Sequence, residues 1–597
     1  MLSNSIRLRG LIACIVLCAQ VTLGAVFFQG PEELPKNAKY DFIIAGGGTG
    51  GAAVAGRLAQ NRKWKVLIIE AGPSNLNVFA TRVPGLRSQL KSTIVDWNYT
   101  SIAEPGLNGR AMGYSRGRML GGCSSHNTMV YTRGSKDDWN MRAEITGDRD
   151  LTWDRMLPLL KKAEKLVQDS ENQREQNHID PSVLGHNGPL AVTAPYSSHP
   201  MNDLFLQATK ELGDQFPFVP DMNSGRPIGI SWTQSTIDNK GERSSSATAY
   251  VENMSGDNLH VLLNTYVTRV LPIGKGKKAE FRGVEFALNA QSPKLQLEAK
   301  REVIVAGGVI GTPQILMNSG IGKRDELEAL GIKTLVDNPS VGKNFTDQPS
   351  STVMFNTTIQ NTDIDMTAAL AEWNATRTGP MSRAGEINMI GWLRLPDDSP
   401  ALTQFADPSP GKDAPHIEMF FKTISTQGVV LPPGSPNVTA LQFSHTNLHP
   451  VSRGSVTLNS SDPFAPPKID LGLLTEDVDL AILREGIRNA RKLFAAPVFA
   501  NSVFGTVSPA SNITSDEDLN AYLRGAVVPI MHGASTAMMS PRGASWGVVD
   551  PDFRVKGTTG LRVVDASIFP TMPSGHTQAS IYGFAERASE LIADSCK

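Results

Sequence analysis

The sequence predicts an α/β fold, α+β overall, in which a unit of parallel strands and helices is joined to a second unit of helices on an antiparallel sheet. Three observations predict it. A glycine fingerprint lies between two apolar runs near residue 46. Strand-and-glycine segments recur near residues 305 and 563. A proline- and turn-rich stretch separates those recurrences.

At 597 residues the chain is long enough for two or more cores. A net charge of −1 carries no electrostatic footprint for nucleic acid or an anionic membrane, so neither is expected as a partner. Arg7 and Arg9 precede LIACIVLCAQ, and VTLGAV follows, the order of a secretory signal over residues 1–24. Its apolar core is shorter than the ~20 residues of a bilayer span, so a secreted, extracellular protein without a membrane anchor is expected. Eight Asn-X-Ser/Thr sequons, Asn437 among them, suit a secreted glycoprotein. Cys14 and Cys18 leave with the signal, and nothing demands that Cys123 and Cys596 pair.

The elements follow in order. FIIA is a short buried strand, and Gly46, Gly48 and Gly51 form G-x-G-x-x-G directly after it. AAVAGRLAQ reads as a helix with small residues on its packing side. KVLIIE is a second strand ending in Glu70. In a Rossmann-like unit the glycines serve a tight turn, close approach to a pyrophosphate and helix-on-strand packing, while the acid accepts from ribose hydroxyls. The fingerprint alone does not separate NAD from FAD. REVIVAGGVIGTPQILMNSGIG repeats the strand–glycine–helix order. GLRVVDASIFP is a strand closing on Asp565, and a loop and an amphipathic helix follow. The intervening segment is turn-rich (LPDDSP, ADPSPGKDAP, LPPGSPN) with strand-like runs HIEMFF and LQFSH; a sheet-core role is expected for the first. The expected organisation is a dinucleotide-binding unit over 38–345 with an insertion of the second unit near 196–235, the second, substrate-binding unit over 346–530, and a return to the first over 531–597.

The run MLGGCSSHNTMV places His126 among small residues. Either the ring packs a gap, or it touches what lies against the glycines. Gly543, Ser545 and Gly547 spell G-x-S-x-G, but the strand-before, helix-after context of a nucleophile elbow is missing. His445 and His449 lack a third ligand, so no metal site is expected.

Taken together, FIIAGGGTGG, GRMLGGCSSHN, AGGVIGTPQILMNSGIG, NPSVGKNFTDQ and GASWGVVDPDFRVKGTTGLRVVDASIFP with PSGHTQ resemble the glucose–methanol–choline (GMC) family of FAD oxidoreductases over nearly the whole mature chain. Within it the likeness is greatest to the fungal pyranose dehydrogenases, with aryl-alcohol oxidases next. The resemblance implies FAD held by Gly46, Gly48, Gly51, Glu70, Gly122, Ser124, His126, Asn127, Val267, Asp565 and Thr577, with His126 bonded covalently to the 8α-methyl carbon. It implies His532 and His576 as the catalytic pair, His532 taking the alcohol proton as hydride passes to flavin N5. Histidine chemistry suits that work. The helix start after His576 is expected to keep its imidazole neutral.

The implied activity is oxidation of secondary hydroxyls of mono- and oligosaccharides to keto-sugars by a monomer, with electrons passed to a quinone or phenoxy radical. An aryl-alcohol oxidase making aldehyde and hydrogen peroxide is the nearest rival. A hydroxynitrile lyase-like member, or a flavin binder without turnover, would be of another class. One departure is visible. Where those relatives carry an aromatic just before the base, this chain has Ile530 and Met531, an aliphatic and adaptable substrate-pocket wall.

Overall fold

The structure, a computed structural model, describes residues 24–168, 170–171, 179–194, 199–274, 280–359, 364–385, 387–425 and 439–597. Of the segment read as a secretory signal only Gly24 falls within these, and the sequon at Asn437 lies outside them. Among the described residues no helix is long and apolar enough to cross a membrane.

The first layer is an eight-stranded sheet. Strands Val26–Phe28, Leu259–Leu262, Val66–Ile69, Tyr40–Ala45, Leu295–Val305 and Leu561–Val563 run parallel, with Ile43 opposite both Leu67 and Val303, and Val303 opposite Leu561. Strands Tyr266–Ile273 and Glu280–Ala287 extend it antiparallel. Phe42, Ile43, Ile44 and Val66 to Ile69 are all buried, as a parallel sheet covered on both faces requires. Helix Thr49–Ala59 crosses from the first strand, and its alanines let it lie close. Helix Gln578–Asp594, from the other end of the chain, packs beside it, and Arg57 pairs with Glu586 at 2.7 Å. The expected α/β assembly from both chain ends is therefore present.

The second layer is a seven-stranded antiparallel sheet. Its strands are Gly229–Trp232, Met389–Leu393, Ile417–Ser425, Thr439–Asn447, Pro349–Thr357, Val503–Ser508 and Val528–Pro529. Side chains alternate between its faces. On Ile417–Ser425, Ile417, Met419 and Phe421 enter a core shared with helix Asp477–Phe494, where Ile482, Ile487 and Ala490 meet them. Glu418, Phe420 and Lys422 therefore project from the opposite face, toward the first layer. The run HIEMFF is thus half core and half site wall. His416 is structural: it accepts from Leu395 N–H at 3.0 Å and meets Asp407 at 2.9 Å.

Gly543 to Gly547 form irregular turns without a strand–turn–helix elbow. Among the described residues no cluster suits a metal ion, and Cys123 and Cys596 are free thiols.

Candidate active site and cofactor cavity

A cavity of about 360 Å³ opens where the parallel strands end. Gly46, Gly48, Glu70, Gly122, Val267, Asp565 and Thr577 line it, seven of the residues expected to hold a cofactor. Gly46 has φ +108°, and a Cβ there would lie 2.4 Å from the Ala306 carbonyl oxygen. A Cβ on Gly51 would lie 2.1 Å from the Gly46 oxygen, so Gly51 acts in the turn's packing and not in the cavity wall. Gly48, just before the helix, has nothing closer than 3.9 Å, which leaves the loop open on the cavity side. This is a cradle for a group that must approach backbone N–H donors at a helix start.

Glu70 is buried and accepts from Gly47 N–H at 2.8 Å and Gly72 N–H at 2.9 Å. Burial pushes its carboxyl up to about 6 against those donors. It ties the loop together as well as facing the cavity. Asp565 accepts from Gly308 N–H, Thr312 Oγ1 and Ser567 N–H, and so fastens the turn after strand Leu295–Val305 to the turn after strand Leu561–Val563.

The GGCSSHN run is a short 3-10 turn, Gly122–Ser125, ending at His126. Ser124 Oγ donates to the Gly121 carbonyl at 2.7 Å and accepts from Ser246 N–H at 3.0 Å. It shapes the loop from behind. Asn127 is also braced within the protein: its amide bonds Gln578, and its oxygen accepts from Met129 N–H and Arg243 Nη1. His126 differs. Its Nε2 is buried and has no hydrogen-bond partner. Burial holds its pKa below the ordinary value, so the ring is neutral. A buried, unpaired, nucleophilic nitrogen on a cofactor loop is costly unless a further group occupies it. That orphan and the open cradle fit FAD as the resident group.

His532 and His576 come together from different elements, their ring centroids 4.7 Å apart. Gly533 and Thr577, the chain neighbours of the two histidines, line the cavity. Gln348 sets the state of His532. Its amide nitrogen donates to the carbonyls of Leu448 (3.1 Å) and Pro573 (3.0 Å), which turns Oε1 toward His532 Nδ1 at 2.8 Å. An amide oxygen only accepts, so Nδ1 carries the proton and Nε2 keeps its lone pair. Burial, the neighbouring His576 and the Arg116 charge hold His532 well below the usual histidine range.

His576 is pushed the other way. Burial disfavours its charge, but the Glu418 carboxylate 3.1 Å from Nε2 outweighs that and raises the pKa, with the Val130 carbonyl 3.4 Å from Nδ1 adding to it. The neutral His576 expected from the helix start is therefore corrected. A carboxylate in contact is stronger than half a charge spread over a helix end. Glu418 is buried, and its second oxygen has no partner among the described residues.

The turn bearing His532 is held by two buried groups, Asp347 and Tyr114. His532 N–H donates to Asp347 Oδ1 at 2.9 Å, Tyr114 donates to Asp347 Oδ2 at 2.5 Å, and Gly533 N–H donates to the Tyr114 oxygen at 3.0 Å. Arg116 Nη2 donates to the Met531 carbonyl at 2.7 Å, fixing a residue at φ +64°. Burial pushes Asp347 up to about 6. Ile530 is half-buried, whereas the Met531 side chain packs on the second-layer core.

Sequence reasoning missed Glu418, Gln348, Tyr114 and Arg116 as site residues. Gln348 stood within NFTDQ and Arg116 within the run before GGCSSHN, so position carried a signal. Glu418 had one as well, a lone acid in an apolar alternation.

Comparison with known proteins agrees with this architecture. Residues 40–350 and 450–585 match two family models, both described as GMC oxidoreductase. A pyranose dehydrogenase of Agaricus xanthodermus is 54% identical over 596 residues, covering 98% of each chain. A formate oxidase crystal structure superposes with a TM-score of 0.83 at 28% identity, covering 94% of this chain and 99% of its own. A fungal aryl-alcohol oxidase gives 0.80 at 26%, with 94% and 99% covered.

Proposed function

The chain belongs to the GMC oxidoreductase family, and from that premise we propose that it is a pyranose dehydrogenase-like enzyme that oxidises a secondary ring hydroxyl of a mono- or oligosaccharide to a ketone. FAD dependence and action on a sugar or alcohol follow from the family and its relatives. Bound in the cavity, FAD supplies the two-electron acceptor for the carbinol carbon.

One observation carries the reading: two imidazoles 4.7 Å apart have their pKa values pushed in opposite directions beside a cofactor cradle. Such a split marks an acid–base division of labour. Neutral His532 presents the Nε2 lone pair and takes the hydroxyl proton. His576, whose ring nitrogens face the Glu418 carboxylate and the Val130 carbonyl and whose pKa is raised by them, lies against the reacting oxygen and steadies the negative charge that builds there as the proton leaves. Gln348 keeps His532 in the one tautomer that can act as base. Tyr114, Asp347 and Arg116 keep the turn still, so little reorganisation is needed at the moment of transfer.

His126 is the residue placed to tether FAD, as its neutral, unpaired Nε2 supports. Ile530 forms the aliphatic side of the substrate pocket. The acceptor in this reading is a quinone or phenoxy radical; the dehydrogenase name of the 54% identical relative supports an acceptor other than oxygen. The leader over residues 1–24 directs a secreted, glycosylated monomer.

The test is a panel of pyranoses and benzylic alcohols with a dye acceptor under nitrogen, followed by product analysis. Keto-sugar formation is expected. Bleaching by benzylic alcohols alone, with aldehyde as product, would replace the reading by the aryl-alcohol one.

A further inference from the structure

A second cavity, of about 300 Å³, lies against residues 420–423 of the strand that carries Glu418. Arg87, Arg383 and Lys422 line it together with the Phe420 ring and the thioethers of Met366 and Met381. Among the described residues no carboxylate does. Arg383 is neutralised by Glu171, whose Oε2 is 2.7 Å away. Arg87 has no acid paired with it among the described residues. Its guanidinium is largely buried, which lowers its pKa, and the Arg243 cation adds repulsion. A cation withdrawn from water without a counter-charge is costly. Lys422, exposed on the same cavity, adds a second charge that has no ion-pair partner among the described residues.

Two connections place this cavity next to the histidine pair. Glu418, Phe420 and Lys422 occupy alternate positions on one strand, so Lys422 stands roughly 13 Å along the sheet from Glu418. Arg87 sits in the turn Pro84–Leu90, whose last residue meets the His126 ring through its backbone. The cavity is therefore bounded by the strand that charges His576 and by the turn that leads to His126.

The lining asks for a ligand with an apolar ring face and one negative charge. Phe420, 36% exposed, offers a ring surface, and a guanidinium beside an ammonium suits a carboxylate. A uronic acid has both features. We propose that this cavity is an outer subsite for a uronic acid residue of an acidic oligosaccharide, one or two sugar rings from the hydroxyl presented to His532. The proposal rests on the reading of the chain as a sugar oxidoreductase.

The experiment uses the holoenzyme and a matched pair, cellobiose and cellobiouronic acid, which differ only in the carboxylate of the non-reducing ring. Anaerobic bleaching of the flavin is followed against concentration for wild type, Arg87→Gln, Lys422→Gln and the double variant, at low and high salt. In wild type the acid should half-saturate at about tenfold lower concentration than the neutral sugar, the scale of one charge-assisted hydrogen bond. The advantage should shrink with salt and vanish in the double variant, with cellobiose unchanged. Equal half-saturation of the two sugars in wild type overturns the proposal, as does an advantage that survives in the double variant. If cellobiose and other neutral pyranoses fail to bleach the flavin at all, the sugar-oxidising reading fails instead.

Discussion

Glu418 Oε1 lies 3.1 Å from His576 Nε2, and that contact raises the pKa of one member of the histidine pair while burial lowers that of its neighbour. The two residues are 158 positions apart in the chain. The sheet register brings them together, and no local pattern around either shows it.

Removal of the carboxylate in Glu418→Gln should let the His576 pKa fall, because burial then acts alone. The alkaline limb of the rate of flavin reduction should move to lower pH than in wild type, measured by stopped flow from pH 5 to 9. The sign also fixes a stability signature. A histidine whose folded pKa is raised contributes fully below its unfolded value of ~6.5, and the contribution is lost as pH rises through the folded value. The urea midpoint of wild type should therefore exceed that of Glu418→Gln most at low pH and converge with it at high pH. Superimposable pH profiles would show that the charge on His576 is immaterial.

His532→Ala should slow anaerobic flavin reduction about 10²–10⁴-fold while the bound flavin spectrum is kept. Gln348→Leu should cost about tenfold, ~1.4 kcal/mol, because the tautomer is then no longer held. A Gln348→Leu enzyme as fast as wild type would mean that the hydrogen bond to Nδ1 does not select the base.

Acid precipitation of the holoenzyme should leave the yellow colour in the pellet, and peptide mass spectrometry should find flavin on the peptide containing His126. His126→Ala should still bind FAD through the Gly46–Gly51 loop but release it on denaturation. Full release from wild type would show that the buried Nε2 serves another purpose.

Tyr114→Phe removes the acceptor of Gly533 N–H and a donor to Asp347 in one step. A loss of ~1–3 kcal/mol is expected, read from the denaturation midpoint. The same variant should raise flavin fluorescence at lower denaturant, since the turn it steadies borders the cavity. An unchanged midpoint would place Tyr114 outside the support of the turn.

Much of this was legible from the chain alone because it is local. Tyr40 to Glu70 encode strand, turn, helix and strand within one short stretch, and PSGHTQ leads into a helix that forms as its pattern indicates. By likeness His126 is expected as a tether and His532 with His576 as a pair; the structure brings the pair together, ring centroids 4.7 Å apart. What was not legible depends on long-range register. HIEMFF reads as buried strand, and its apolar residues are buried; only pairing with Met389–Leu393 and Thr439–Asn447 decides that Glu418 points away from that core. The charge of His576 was misjudged for the same reason: the helix after it is visible in sequence, and the carboxylate that outweighs it is not.

The strand Leu561–Val563 completes the parallel sheet, and the helix after His576 locks onto Thr49–Ala59 through Arg57 and Glu586. A nascent chain leaving the ribosome must therefore keep its opening strands waiting for more than five hundred residues of further synthesis. Contacts of that sequence separation are slow to form and leave apolar edges uncovered meanwhile. Heterologous production should thus be limited by chaperone capacity during translation more than by the stability of the finished protein. A chain ended early by a premature stop codon loses its half of the histidine pair together with the clasp that closes the sheet, so such products are matter for degradation and not partially active enzyme.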